Sequence, residues 1–426
     1  MDSTQQQAAP LEETQHLLLR YQNIRFQTEA LCAPLQTEDY VVQPIVDVSP
    51  PKWHLGHSTW FFENFILAKH LMGYELYNPR YNYLFNSYYE SQGERVFRAH
   101  RGNMTRPSVE EVMKFRKHVD QAMVAYLASH PIPEKVRNFI ELGLQHEQQH
   151  QELLLTDLKY ILGHNPLFPT YTNTQCPSSS SLPELNFTEI NEGLYTVGFQ
   201  AEGFCYDNET KAHQVYLHPY QIANRLATNR EYLDFMQDNG YEHFEFWLSE
   251  GWDWVQQLAI KAPLYWHQIK GKWHQFTLSG LQEIKLDDPV THINYFEADA
   301  FARWKKMRLP TEFEWEVACK QLQATIPEQA NFQKSGFFHP SPANHHTQLF
   351  GDCWEWTQSA YLPYPGYTQA QGALGEYNGK FMVNQMVLRG GSCATPKTHI
   401  RPTYRNFFHT DKRWQFTGIR LAKSLF

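Results

Sequence analysis

His146 and His150 stand four residues apart in the stretch His146-Glu147-Gln148-Gln149-His150, inside a segment that reads as one long helix. At that spacing both imidazoles leave the same helical face. Phe139, Leu142, Gly143, Leu153, Leu154, Leu158 and Ile161 mark that face as the inward one. One inward histidine is ordinarily a core residue satisfied by a hydrogen bond. Two side by side, with Glu147 nearby, are hard to satisfy without a cation, and point to a metal ion. The same five residues also fit the His-Glu-x-x-His motif of a zinc protease, in which Glu147 is the general base.

A third imidazole is available upstream. Trp53-His54-Leu55-Gly56-His57 opens a helical stretch whose inward series runs His57, Trp60/Phe61, Asn64/Phe65 and Ala68. His57 on a facing helix completes a three-histidine site with open coordination positions, whereas His54 lies one turn earlier. Between this stretch and the next runs a long aromatic segment, Tyr74 to Pro107, holding Tyr88, Tyr89, Arg95, Arg98, Arg101 and Arg106. A connection of that length in a compact bundle, rich in tyrosine and arginine, points to function. A guanidinium binds a carboxylate with two hydrogen bonds, and for a carboxylate-bearing ligand Arg98 is the first choice, with Arg95 and Arg101 behind it.

Four helical stretches carry these residues: about Leu11 to Leu31, Lys52 to Met72, Ser108 to Ala128 and Pro133 to Gly163. Ser108 with Glu111 makes a capping box, and Pro133 suits a first helical turn. Together they predict a four-helix bundle over residues 1–165. Residues 166–185 turn to Pro, Thr, Asn and Ser, including Ser178 to Ser181, and read as a linker. Residues 186–426 are punctuated by Gly, Pro and Trp with short strand-like runs such as Gly193 to Gly198, predicting an irregular α+β domain.

The bulk properties exclude several classes. Among 426 residues, 37 basic and 45 acidic side chains give a net charge of −8 without a basic block, which argues against a nucleic-acid surface. No run reaches membrane-spanning length, and Met1 to Pro10 lacks the pattern of a secretory signal, so a cytoplasmic protein away from the membrane is expected. The six cysteines are scattered without C-x-x-C spacing, giving neither a disulfide scaffold nor a zinc ribbon. Aromatic content is high, at 15%, and supplies walls for a cationic ligand.

Ordered signatures in the second half carry a resemblance. Phe187 to Gly198, His213 to Leu217 with Ala227 to Tyr232, Arg308 to Glu316, Trp354-Glu355-Trp356-Thr357, Arg389-Gly390-Gly391-Ser392 and Gly418-Ile419-Arg420-Leu421 resemble the formylglycine-generating-enzyme/sulfatase-modifying domain. The resemblance implies a variant of the C-type-lectin fold, and most of these residues belong to its core. The namesake oxidases use a pair of cysteines near the C-terminus. Here only Cys393 stands in that region, which argues against that chemistry.

A bundle that resembles the DinB type, with Leu-x-His and His-Glu-x-x-His elements, joined to this second domain, is similar to the ergothioneine sulfoxide synthases of the EgtB family. The resemblance covers nearly the whole chain, and its C-terminal part reads as Tyr404 to Phe408 and Trp414 to Gly418. It implies a non-haem iron(II) enzyme that uses O2 to join a thiol, cysteine or γ-glutamylcysteine, to the imidazole C2 of hercynine (Nα-trimethylhistidine) as a sulfoxide. Carried over, the Fe(II) ligands are His57, His146 and His150, the three that spacing selects. Spacing alone does not separate iron from zinc.

The resemblance also implies that a phenol protonates the reduced oxygen species. Tyr88 and Tyr89 are the candidates, with Tyr361, Tyr364 and Tyr367 as the competing set. Hercynine binding falls to Gln149, between the two helix-borne ligands, and to Asn406, Trp414 and Phe416, whose aromatic faces suit a trimethylammonium group; the resemblance places this segment against the metal at the domain interface. Two other classes stay open. One is an ovothiol-type sulfoxide synthase acting on unmethylated histidine, whose chains carry an added methyltransferase domain that these residues do not supply. The other is a non-catalytic binding protein with a structural metal, which would normally be closed by a fourth protein ligand.

Overall fold

The computed structural model describes residues 5–129, 131–174, 176, 182–343, 347–369, 375–376 and 378–425, with side chains from residue 13 onward. The chain divides into two compact units, Met1–Ile161 and Leu162–Phe426.

The first unit contains four long helices among its described residues: Gln5–Cys32, Pro51–Phe62, Val109–Ser129 and Glu134–Gly163. The second starts on Pro51, whose ring fixes φ where no N–H is needed. It continues through a π-helical turn, Glu63–Leu67, and a short turn, Ala68–His70. All twelve residues of Pro51–Phe62 are buried, so this is the central helix of the bundle and polar groups on it are shielded from water. The capping box expected before the third helix is present, with Glu111 N–H on Ser108 Oγ at 3.2 Å and Ser108 N–H on Glu111 Oε2 at 2.7 Å. The long aromatic segment is folded into short helices at Tyr81–Phe85, Glu90–Gln92 and Arg98–Asn103.

Two glycines set the helix spacing. A side chain at Gly143 would bring its Cβ within 2.8 Å of the Phe62 ring and 3.0 Å of the Phe61 ring, so the fourth helix lies against the second only because no Cβ is there. At Gly56 the Phe85 ring occupies the space of the missing Cβ. These close approaches bring the histidine-bearing turns of both helices and the Phe85 carbonyl into one small volume.

In the second unit, β1 (Phe187–Ile190), β4 (Tyr220–Ala223) and β12 (Ala422–Ser424) form an antiparallel sheet in the order β1-β4-β12. β8 (Trp354–Ala360), β9 (Gln385–Arg389), β10 (Asn406–His409) and β11 (Thr417–Gly418) form a second, ordered β10-β9-β8-β11, with β11 parallel to β8. β2 (Gly193–Val197) pairs with β3 (His213–Leu217), and β5 (Trp266–Ile269), β6 (Lys272–Thr277) and β7 (Gly280–Glu283) make a meander. The signature residues lock this irregular core through buried ion pairs: Arg420 grips Glu355 at 2.6 and 2.7 Å, and Arg389 and Arg405 both reach Glu312. Part of the stretch read as a linker docks on this unit, since Tyr171 and Thr172 N–H both donate to the Leu278 carbonyl at 2.9 Å. Ser178 to Ser181 lie outside the described residues.

Candidate metal centre

His57 is held on both sides and at its edge. Its ring is sandwiched between Trp53, at 4.5 Å and 14°, and Trp60, at 5.4 Å and 15°. Its Nδ1 lies 2.5 Å from the Phe85 carbonyl. A carbonyl only accepts, so Nδ1 carries the hydrogen and Nε2 is left as a lone pair. That lone pair stands 3.2 Å from His146 Nε2.

His150 completes the set. One ring nitrogen from each of His57, His146 and His150 lies within 4.8 Å of the other two, and all three side chains are buried. Two nitrogens each about 2.1 Å from one ion are separated by about 3.0 to 3.4 Å at octahedral to tetrahedral angles, so the 3.2 Å pair fits a shared ion. Burial lowers the pKa of all three; His146, where Glu147 opposes the shift and His54 adds to it, falls to about 3. The imidazoles are therefore neutral, as metal ligands must be. Among the described residues no fourth His, Cys, Asp or Glu joins the group. The arrangement can hold a metal ion and leave coordination positions open, which is the pattern of a reactive centre, not of a closed structural one.

His54 is not that fourth ligand. Its Nδ1 faces His150 Nδ1 at 2.9 Å and its Nε2 faces Asp157 Oδ2 at 3.0 Å.

The protease reading of the motif fails at Glu147. This carboxylate is fully buried and accepts from Arg116 at 2.6 Å, Arg25 at 2.9 Å and Thr28 at 2.7 Å. Burial alone would raise its pKa, but the two guanidiniums outweigh that and hold it at about 2. A carboxylate tied to two cations inside the bundle is no general base, and it serves as a strut between helices.

The three candidate arginines stand in different surroundings. Arg98 is exposed and donates to the Asp47 carbonyl at 2.5 Å, and Arg95 pairs with Glu90 at 2.6 Å. Arg101, placed behind Arg98 on sequence grounds, is buried with its guanidinium 3.3 Å over the Trp53 ring, the same indole that stacks on His57. It donates to Ser49 Oγ at 2.9 Å and Ser87 Oγ at 3.0 Å, while its Nε has no hydrogen-bond partner among the described residues. Burial, and behind it the charge of Arg98, pushes its pKa down. Its hydrogen-bond acceptors Ser49 Oγ and Ser87 Oγ are both neutral hydroxyls, and the Asp157 carboxylate acts on it electrostatically.

Tyr88 and Tyr89 stack on each other at 4.8 Å. Tyr89 is buried against Trp60 and Phe65, whereas Tyr88 is half-buried and interacts electrostatically with Arg101. The competing phenols are engaged in the second unit: Tyr361 with Asn208 at 2.8 Å, Tyr364 with Glu312 at 3.2 Å and Tyr367 with Asp207 at 2.8 Å. Gln149 is half-buried on the fourth helix between the two ligands.

Of the C-terminal candidates, Asn406 opens β10, Trp414 packs edge-on against Phe408 at 5.7 Å, and Phe416 is buried against His292 at 4.7 Å. Gln415, between the two aromatics, was not singled out from sequence. Its side chain is buried, and neither its amide nitrogen nor its oxygen has a partner among the described residues. A glutamine between two aromatics carries no such signal in the sequence.

Comparison with known proteins gives the class first. The DinB superfamily matches residues 20–154, and the sulfatase-modifying factor enzyme 1-like domain matches residues 174–346 and 328–425. Hercynine oxygenase of Mycobacterium tuberculosis is 29% identical over 88% of this chain and 91% of its own length. Hercynine oxygenase of Mycolicibacterium smegmatis is 32% identical over 68% of this chain and 73% of its own. Ergothioneine biosynthesis protein 1 of Schizosaccharomyces pombe is 27% identical over 61% of this chain and 31% of its own. The chain belongs to the hercynine oxygenase family.

Proposed function

We infer that this protein is a hercynine oxygenase of ergothioneine biosynthesis, joining a cysteine-type thiol to the imidazole C2 of hercynine with O2 and releasing a sulfoxide. The observation that carries the reading is the group of three neutral, converging imidazoles with open positions, in a chain similar along most of its length to proteins named hercynine oxygenase. Iron(II) is the metal proposed for His57, His146 and His150, because bound iron supplies both the acidity that ionises a thiol and the one-electron exchange that O2 requires, and zinc lacks the second.

The chain's own residues take the remaining tasks. Arg101 binds the carboxylate of the thiol substrate, held by its stacking on Trp53 and by two serine hydroxyls. Tyr88, next to that guanidinium, or Tyr89 behind it, donates the proton that directs the reaction to C–S bond formation. Gln149 and Asn406 contribute polar contacts to hercynine, and Trp414 with Phe416 the aromatic faces for its methylated cation. A cytoplasmic setting suits this reading, since all six cysteines are free thiols. No helix among the described residues is long and apolar enough to cross a membrane.

The reading is tested by O2 uptake in the iron-loaded protein. Consumption should require hercynine and thiol together. Uptake with thiol alone at the same rate, and no sulfoxide in the product, would reject it.

A further inference from the structure

Behind His150 the polar atoms form a line. Asp157 Oδ2 accepts from the Ser49 N–H at 2.8 Å and meets His54 Nε2 at 3.0 Å, and His54 Nδ1 meets His150 Nδ1 at 2.9 Å. His54, His150 and Asp157 are all buried, so water does not compete for these contacts. The same two helices carry ligands and relay: His54 precedes His57 by about one turn, and Asp157 follows His150 by about two.

The order of hydrogens follows from the ends of the line. A carboxylate accepts, so His54 Nε2 carries a hydrogen. The hydrogen shared by the two Nδ1 atoms then has two placements. On His150 Nδ1, it leaves His150 Nε2 as the bare lone pair available to a metal. A hydrogen on His54 Nδ1 instead would take one additional proton, make that ring an imidazolium and put the hydrogen of a neutral His150 on Nε2, where a ligand lone pair is needed. Only the first is compatible with a metal.

We propose that His54 and Asp157 are positioning residues of the metal centre, a carboxylate–imidazole relay that fixes the tautomer and ring plane of His150. The proposal rests on the assignment of His57, His146 and His150 as ligands. It assigns to side chains for His150 the task that the Phe85 carbonyl performs for His57. Such outer partners raise ligand basicity and hold ring orientation, and their loss typically costs about 10- to 100-fold in metal affinity.

The test measures Fe(II) affinity of the full chain, kept anaerobic, by competition with a chromophoric chelator, with the absorption bands of the Co(II)-substituted protein as a readout of coordination. His54→Leu should weaken Fe(II) binding by about 10- to 100-fold and change the Co(II) bands. His54→Gln keeps an acceptor toward His150 and a donor toward Asp157, and should recover most of the affinity. If His54→Leu does not fold, Asp157→Asn takes its place, and affinity should fall by about tenfold. Folded His54→Leu with wild-type affinity and bands, or His54→Gln as weak as His54→Leu, overturns the relay alone. A wild-type chain that binds no Fe(II) overturns the ligand assignment and the relay with it.

Discussion

Arg116 Nη2 donates a 2.6 Å hydrogen bond to Glu147 Oε1, so the glutamate of the His-Glu-x-x-His stretch is committed to the helix bundle. Removing one partner of a buried pair leaves the other charge uncompensated, typically at about 3–5 kcal/mol. Glu147→Ala should lower stability to urea by that amount while its folded fraction still binds metal. Loss of metal at unchanged stability would return Glu147 to the centre.

Arg101→Gln should raise the KM for the thiol by about ten- to a hundredfold, the worth of a hydrogen bond to a charged group, with little change in the KM for hercynine. Arg98→Gln, whose guanidinium lies in solvent on a backbone carbonyl, should change either constant by less than about threefold. Steady-state kinetics with one substrate varied at a time separates the two. A larger effect at Arg98 would restore the order expected from sequence.

A thiol bound beside activated oxygen can also be oxidised to a sulfinic acid, and a proton donor in place favours the sulfoxide. Tyr88→Phe or Tyr89→Phe should therefore shift product toward sulfinate, whereas Tyr361→Phe, whose hydroxyl is tied to Asn208, should leave the ratio unchanged. Mass analysis of products gives the ratio directly. An unchanged ratio in both loop variants would move the donor to the second unit.

Much of this architecture was legible in advance because helical periodicity is local. The period of Phe139 to Ile161 aimed His146 and His150 inward, and the series from His57 to Ala68 selected His57 over His54. The partners of those residues were not legible, because they come from far along the chain. Arg25 and Arg116 reach Glu147 from other helices, and Asp157 meets His54 only once the two helices are packed. Arg98 and Arg101 are chemically identical in a loop without periodicity. Which one is buried depends on the turn Arg98–Asn103 and on the face of Trp53.

A cation–π contact is worth roughly 0.5 to 2 kcal/mol, so Trp414→Leu should weaken hercynine binding by about two- to thirtyfold and histidine binding by less. Isothermal titration with both ligands reads the difference. Equal losses, or an unfolded variant, would assign Trp414 to packing with Phe408.

The central claim is tested most directly by metal analysis of the purified chain after anaerobic Fe(II) loading and desalting, beside His57→Ala, His146→Ala and His150→Ala. The wild-type chain should retain about one iron, as one three-histidine group predicts, and each variant should retain little while remaining folded by circular dichroism. Full iron occupancy in His57→Ala would contradict the three-ligand centre.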